Sequence, residues 1–206
     1  MTEEVTIEST ETETPVESKT SRFKRPENIL QAILVSIFGA FVFMVLDVVE
    51  WPYMSIGLFK LGFAPALALV ASVGAIRGPL TGFFTGYLGK LLSDIVLSGS
   101  IVALTLYGFA IGVLGLIVGI ATYDLKKGRS LIKLSIMSAI GLVFTALLTV
   151  VFGLFVEGVA SIVSIGFQLL PMLTVGLPTV VLLTPLFARI WQFITSSPPE
   201  ESEPSE

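Results

Sequence analysis

Six runs of about twenty mostly apolar residues, at 29–49, 58–76, 79–99, 105–123, 131–156 and 169–194, constrain this chain more than any other feature. An α-helix rises 1.5 Å per residue, so about twenty residues reach across a hydrocarbon core of roughly 30 Å. Backbone inside lipid must satisfy its own hydrogen bonds, and within a single segment only a helix does so. The expected fold is therefore an all-α integral membrane protein with six transmembrane helices. Charged residues make up only 14% of the chain and mean hydropathy is +0.91, whereas about a quarter of a soluble domain is charged. The connections are too short for a second domain, which leaves a six-helix membrane domain over 27–194 and two tails, 1–26 and 195–206.

The formal charge of −4 belongs mainly to the tails. Ten of the sixteen acidic residues lie there: Glu3, Glu4, Glu8, Glu11, Glu13, Glu17, Glu200, Glu201, Glu203 and Glu206. Both tails carry too little apolar surface to offset the entropy of ordering them, so both are expected to be disordered. The start is acidic and the first apolar run begins only at Ile29 with no small-residue cleavage site behind it, so that run is expected to stay as the first span. The chain has no cysteine and no histidine. That removes disulfides, thiolate and imidazole metal sites and histidine-activated nucleophiles. No metal, cofactor or enzymatic activity is expected.

Orientation follows from lysine and arginine in short loops. Lys19, Arg22, Lys24 and Arg25 precede span one, Arg77 separates spans two and three, Lys126, Lys127, Arg129 and Lys133 separate spans four and five, and Arg189 closes span six. These positions share one side of an alternating topology, so both termini are expected in the cytoplasm. The opposite loops, about 50–57, 100–104 and 157–168, hold no lysine or arginine. The charges outside the expected cytoplasmic loops and tails, Asp47, Glu50, Lys60, Lys90, Asp94 and Glu157, all fall toward that outer side. Charges at membrane depth are costly and face a protein interior or cavity, which suggests an outward-facing polar pocket; a wet interfacial position is the plainer reading for those at span ends.

The stretch "GPLTGFFTGYLGKLLSDIV", Gly78 to Val96, shows how one helix can serve both packing and a pocket. At 100° per residue, Gly82, Gly86, Gly89 and Ser93 share a small-residue face of about 80° with Gly78. Phe83, Tyr87, Lys90 and Asp94 occupy the next sector, and the large aliphatic residues take a third. The glycine face admits a neighbouring backbone closely. Lys90 and Asp94, four residues apart, can partly neutralise each other. A second seam, Ala32, Ser36 and Ala40 on span one, makes a groove for another helix, inside or outside the protein. Pro171, Pro178 and Pro185 recur seven apart on span six and are expected to kink it.

The run Leu61 to Val96 followed by "YGFAIGVLGLIVGI" resembles the membrane-embedded S component of energy-coupling factor (ECF) transporters, with the "G-P-x-x-G-x-x-x-G" start to the third helix. The resemblance covers about 29–194. It implies six helices, cytoplasmic termini, an outward-facing site for a vitamin or related micronutrient, and dependence on a T component and ATPase subunits. It maps the family's T-component docking motif onto Ala32, Ser36 and Ala40, with serine where alanine is usual. The nickel and cobalt branch, which relies on an N-terminal histidine, does not fit a chain without histidine. The other branches are not matched residue by residue, so the substrate stays open. The sequence also lacks a phosphate-binding loop of its own: Gly89-Lys90 is followed by Leu91, and position 84 is Phe84.

The expected substrate site combines Asp47, Glu50, Trp51, Tyr53 and Lys60 around the first outer loop, Tyr87, Lys90 and Asp94 on span three, Tyr107 on span four and Gln168 at the start of span six. Aromatic faces with a few polar groups suit a flat heteroaromatic molecule. Four carboxylates against two lysines, counting Glu157, favour a neutral or cationic one. Two other readings stand beside this: a structural membrane scaffold of similar helical arrangement, with no pocket, and a stand-alone secondary transporter using Asp94 or Glu157 as an ion site.

Overall fold

A computed structural model describes residues 26–49, 54–56, 59–61, 63–99, 105–125, 127–155 and 164–195. Residues 1–25 and 196–206, nearly all of both tails, lie outside the described residues. The elements are α1 (Pro26–Val48), a hairpin of β1 (Met54–Ile56) and β2 (Phe59–Leu61), α2 (Pro65–Arg77), α3 (Pro79–Ser98), α4 (Thr105–Ile120), α5 (Gly128–Phe155) and α6 (Leu177–Thr195), the last preceded by two π-helical turns, Ser164–Leu169 and Met172–Gly176. Among the described residues, three helical segments are long and apolar enough to cross a membrane: Ile29–Val48, Gly128–Phe155 and Met172–Thr195. Along α1, Ile29, Leu30, Ile33, Leu34, Ile37 and Phe38 are all exposed. A contiguous apolar exterior of this kind suits lipid. The protein is thus an all-helical, multi-pass membrane protein with one short hairpin.

The second apolar run departs from expectation. Its first residues pair as a strand, Ser55 opposite Lys60, and the helix starts only at Pro65. A proline at the first helical position lacks only a donor that has no partner there. The 13 residues of α2 span roughly 20 Å, short of a hydrocarbon core. Helix α4 ends at Ile120, three residues before its apolar run does.

Helix direction alternates along the chain. A single residue, Gly78, turns α2 into α3; its φ of 105° and ψ of 174° are open essentially to glycine alone. Its N–H closes α2 on the Gly74 carbonyl at 2.9 Å, and Pro79 opens α3. Beyond the turn, three glycine backbones meet: a Cβ on Gly82 of α3 would lie 2.6 Å from Gly74 Cα of α2 and 2.7 Å from the Gly115 carbonyl oxygen of α4. Farther along, Gly86 faces Ile111 and Gly108 faces Tyr87, so α3 and α4 are antiparallel. The glycine face of α3 thus packs inside the protein. Helices gain little from the hydrophobic effect in lipid, and small residues let backbones approach instead.

The prolines explain the irregular sixth segment. A proline ring crowds the carbonyl four residues back and offers it no donor. For Pro171 and Pro178 those carbonyls belong to Phe167 and Thr174, each inside a π-helical turn. For Pro185 it belongs to Val181, and there α6 stays α-helical because Ser135 of α5 donates to that carbonyl at 2.9 Å. Ser72 of α2 shares its hydroxyl proton between Ala68 O on its own helix at 2.7 Å and Thr184 O at 3.2 Å, and Ala64 N–H donates to Thr179 Oγ1 at 3.1 Å. Hydroxyls thus tie α6 to both neighbours, as expected where no water reaches the backbone.

Candidate functional site

The site grows out of the α1–α3 contact. The Ser36 hydroxyl, which donates to Ala32 O on its own helix at 2.8 Å, also comes within 3.4 Å of Thr81 O, Gly39 abuts the Thr85 side chain, and the fully buried Phe43 ring covers Gly89. Both residue numbers rise together, so the helices run parallel. Without a Cβ at Gly89, Phe43 sinks onto the α3 backbone. One turn on, Asp47 then meets Ser93 and Lys90.

Lys90 Nζ lies 3.1 Å from Asp47 Oδ2 and 2.8 Å from Asp94 Oδ1. Ser93 Oγ donates to the same Asp47 oxygen at 2.5 Å. The cluster carries two carboxylates against one ammonium, a formal charge of −1. Asp94 is the most enclosed member, 6% exposed, and its Oδ2 is buried with no hydrogen-bond partner among the described residues. A buried acceptor left open is costly unless a donor reaches it. The arrangement can therefore take a hydrogen-bond donor or a positive charge.

An aromatic ladder adjoins the cluster. Tyr87 stacks on Phe83 with centroids 6.0 Å apart and planes 7° from parallel. Phe83 meets Phe109 edge-on at 5.5 Å, and Phe109 meets Phe152 at 6.4 Å, which ties α3 to α4 and α5. The first turn of α4 approaches α3 through Gly108, where a Cβ would meet Tyr87 O at 3.1 Å and Lys90 Cβ at 3.8 Å. Tyr107 is the neighbouring residue, half-buried.

Of the expected site residues, the structure brings together Asp47, Lys90 and Asp94, with Tyr87 and Tyr107 on the adjacent turns. Lys60 is placed by its backbone on β2 and Gln168 by its backbone in the first π-helical turn; their side chains, and Glu50, Trp51, Tyr53 and Glu157 entirely, lie outside the described residues. Sequence reasoning missed Ser93 and Phe43. Ser93 was placed on the packing face, yet its spacing of four from Gly89 was the available signal: the face that admits α1 also presents Ser93 to it.

The seam on α1 is largely covered by α3. Ser36 is 5% and Ala40 1% exposed, because α3 covers them, and Ser36 is engaged with Thr81 O. Only Ala32 stays partly open, in a groove of about 300 Å3 between α1 and α3 with Ile29, Ile33, Leu80 and Phe84 on its walls.

Comparison with known proteins gives distant relatives. A UPF0397 protein of Clostridium perfringens is 31% identical over 111 residues, covering 54% of this chain and 58% of that protein. A UPF0397 protein of Streptococcus thermophilus is 28% identical over 122 residues, 56% of this chain and 64% of that protein. The chain thus spans less than two thirds of the length of these curated relatives, whose name states no activity. No family model matches the chain, and no solved structure does.

Proposed function

We propose that this chain is the substrate-capture subunit, or S component, of an ECF-type importer in the cell membrane. The observation that carries the reading is Asp94: a buried carboxylate with one oxygen in an ion pair and the other open, at one end of a lipid-facing helical bundle. Six crossings are supported by the alternating helix directions, with the chain leading into α2 completing the second. Arg77, Lys127, Arg129, Lys133 and Arg189 lie at the end opposite the triad, which supports cytoplasmic termini and an outward site. The ligand is a vitamin-like, flat heteroaromatic molecule, neutral or cationic, that presents an N–H or a positive charge to Asp94 and stacks on the aromatic residues. A T component docks at the groove between α1 and α3, where Ala32 is open, and separate ATPase subunits drive uptake.

The test is mass spectrometry of small molecules retained by the detergent-purified protein, followed by titration of the identified ligand. Asp94→Asn keeps shape while replacing one acceptor oxygen with a donor, and is expected to weaken binding at least tenfold. Recovery of no small molecule from cells grown in rich medium would favour the scaffold reading; unchanged affinity in Asp94→Asn would remove Asp94 from the site.

A further inference from the structure

At the opposite end of the bundle, the α4–α5 connection forms a second polar recess. After α4 ends, Tyr123 folds back and donates its hydroxyl to Val118 O at 2.9 Å. On one side of Tyr123 is a crevice of about 460 Å3 walled by Lys127, Arg129, Ser130 and Lys133 with Asp124. On the other is a crevice of about 310 Å3, where Tyr123 is joined by Ala75, Leu125 and Trp191. The first carries three cations against one carboxylate.

The use of those charges is uneven. Lys127 pairs with Asp124 at 3.1 Å, both well exposed. Lys133 reaches only the Thr122 carbonyl at 3.4 Å and lies 5.8 Å from the Tyr123 ring centroid. Arg129 has no hydrogen-bond or ion-pair partner among the described residues. A net charge of +2 thus surrounds a concave space at the first turn of α5, whose leading N–H groups add further positive potential. Trp191, with Arg77 over its ring at 5.7 Å, lines the adjoining crevice, and such an aromatic suits the level of lipid headgroups.

From this geometry we infer that the recess around Tyr123 is a phosphate-binding site, filled by the headgroup of an anionic phospholipid. Arg129 and Lys133 bind the phosphate oxygens, the fork of the guanidinium engaging two of them. The crevice beside Trp191 receives the start of an acyl chain. Because α5 and α6 both pack at this end, an occupied site clamps the α4–α5 connection against them. The inference does not depend on what the triad at the other end binds.

The experiment uses the full chain released from membranes into native mass spectrometry, with equal amounts of phosphatidylglycerol and phosphatidylcholine offered. Wild type is expected to retain one phosphatidylglycerol in preference to phosphatidylcholine. Arg129→Gln with Lys133→Gln, both exposed positions, is expected to reduce that preference about thirty-fold, as for the loss of two basic side chains near an anionic headgroup. Arg189→Gln, outside the recess, is the control. An equal loss in the control, or an unchanged preference in the double variant, overturns the site. Inorganic phosphate at constant ionic strength distinguishes the source: if it raises the unfolding temperature of wild type but not of the double variant while lipid preference is absent, the lipid assignment is overturned in favour of a soluble phosphate.

Discussion

Removing Lys90 tests whether Asp47, Lys90 and Asp94 form one coupled unit. Lys90→Met keeps most of the side-chain volume and deletes the charge. The two carboxylate oxygens joined by Nζ, at 3.1 and 2.8 Å, lie at most about 6 Å apart, and at an effective dielectric near 20 two such charges repel by about 3 kcal/mol. Breaking a fully buried pair costs about 3–5 kcal/mol. The lower end applies here, because Lys90 and Asp47 side chains keep 22% and 28% of their exposure. The expected loss of unfolding free energy is therefore about 3 kcal/mol, read by reversible denaturant titration in mild detergent. Converting all three to neutral near-isosteres, Asp47→Asn, Lys90→Met and Asp94→Asn together, is expected to recover most of that loss, since a replaced ion network is often near neutral in stability. The ligand capture proposed above should stay lost in the triple variant, which separates a structural role of the charges from the proposed one. If Lys90→Met lies within about 0.5 kcal/mol of wild type, the scatter of an ordinary surface substitution, the electrostatic reasoning is refuted.

Four further outcomes follow from the geometry. Gly82→Ala would force a Cβ to 2.6 Å from Gly74 Cα, well inside the roughly 3.5–4.0 Å optimum, and is expected to destabilise by about 1–3 kcal/mol; Gly128→Ala, with open space around it, should change little in the same unfolding assay. Ser135→Ala should cost about 1 kcal/mol in wild type, through the Val181 carbonyl it leaves open, and less in a Pro185→Ala background where a backbone N–H can return; an unchanged cost in that double-mutant cycle would break the link. Burial pushes the Tyr123 phenol, beyond the end of α4, up to about 12; its contribution to stability is whole below the ordinary value of 10 and is lost as pH rises through about 12, so ultraviolet titration should show a late tyrosine that Tyr123→Phe removes. Single cysteines in this cysteine-free chain at Ser55 and Gly99 should react with an impermeant thiol reagent in intact cells, while those at Gly78 and Gly128 should need permeabilised membranes, and the reverse pattern would invert the orientation.

What could be read from the sequence was whatever depends on one helix at a time. The periodicity of Gly78–Val96 separates a packing face from a charged face, and Gly82 against Gly115 and Lys90 against Asp94 bear this out. What could not be read was which helix arrives at each face. The seam of Ala32, Ser36 and Ala40 is equally suited to an internal or an external neighbour, and only the parallel approach of α1 to α3 decides that Ser36 and Ala40 are covered. The same approach recruits Asp47 from a separate helix to Lys90. Hydropathy alone also ran through residues 58–64, because apolar residues there suit a strand as well as a helix, and Pro65 rather than polarity sets where α2 begins.

The buried hydroxyls give the strongest physical reason to treat Asp94 as a binding group. Thr81, Thr85, Ser138 and Thr184 also bury side-chain oxygens with no partner among the described residues. Each is neutral, and each sits on a helix, where a rotation about one bond turns its proton toward the carbonyl four residues back. Ser72, Thr145 and Thr149 make that bond, at 2.7, 2.9 and 2.9 Å. An ionised carboxylate has no such recourse: it is an acceptor only, and a helix offers no spare donor to a mid-helix side chain. With Lys90 committed to Oδ1 and shared with Asp47, the donor for Asp94 Oδ2 has to come from outside these helices. On the function proposed above, a ligand N–H supplies it. An added amine probe gives a direct measure of this: imidazolium or guanidinium salts, compared with sodium at equal ionic strength, should raise the unfolding temperature of wild type and leave Asp94→Asn unmoved. Equal protection of both proteins would mean that the open oxygen recruits nothing.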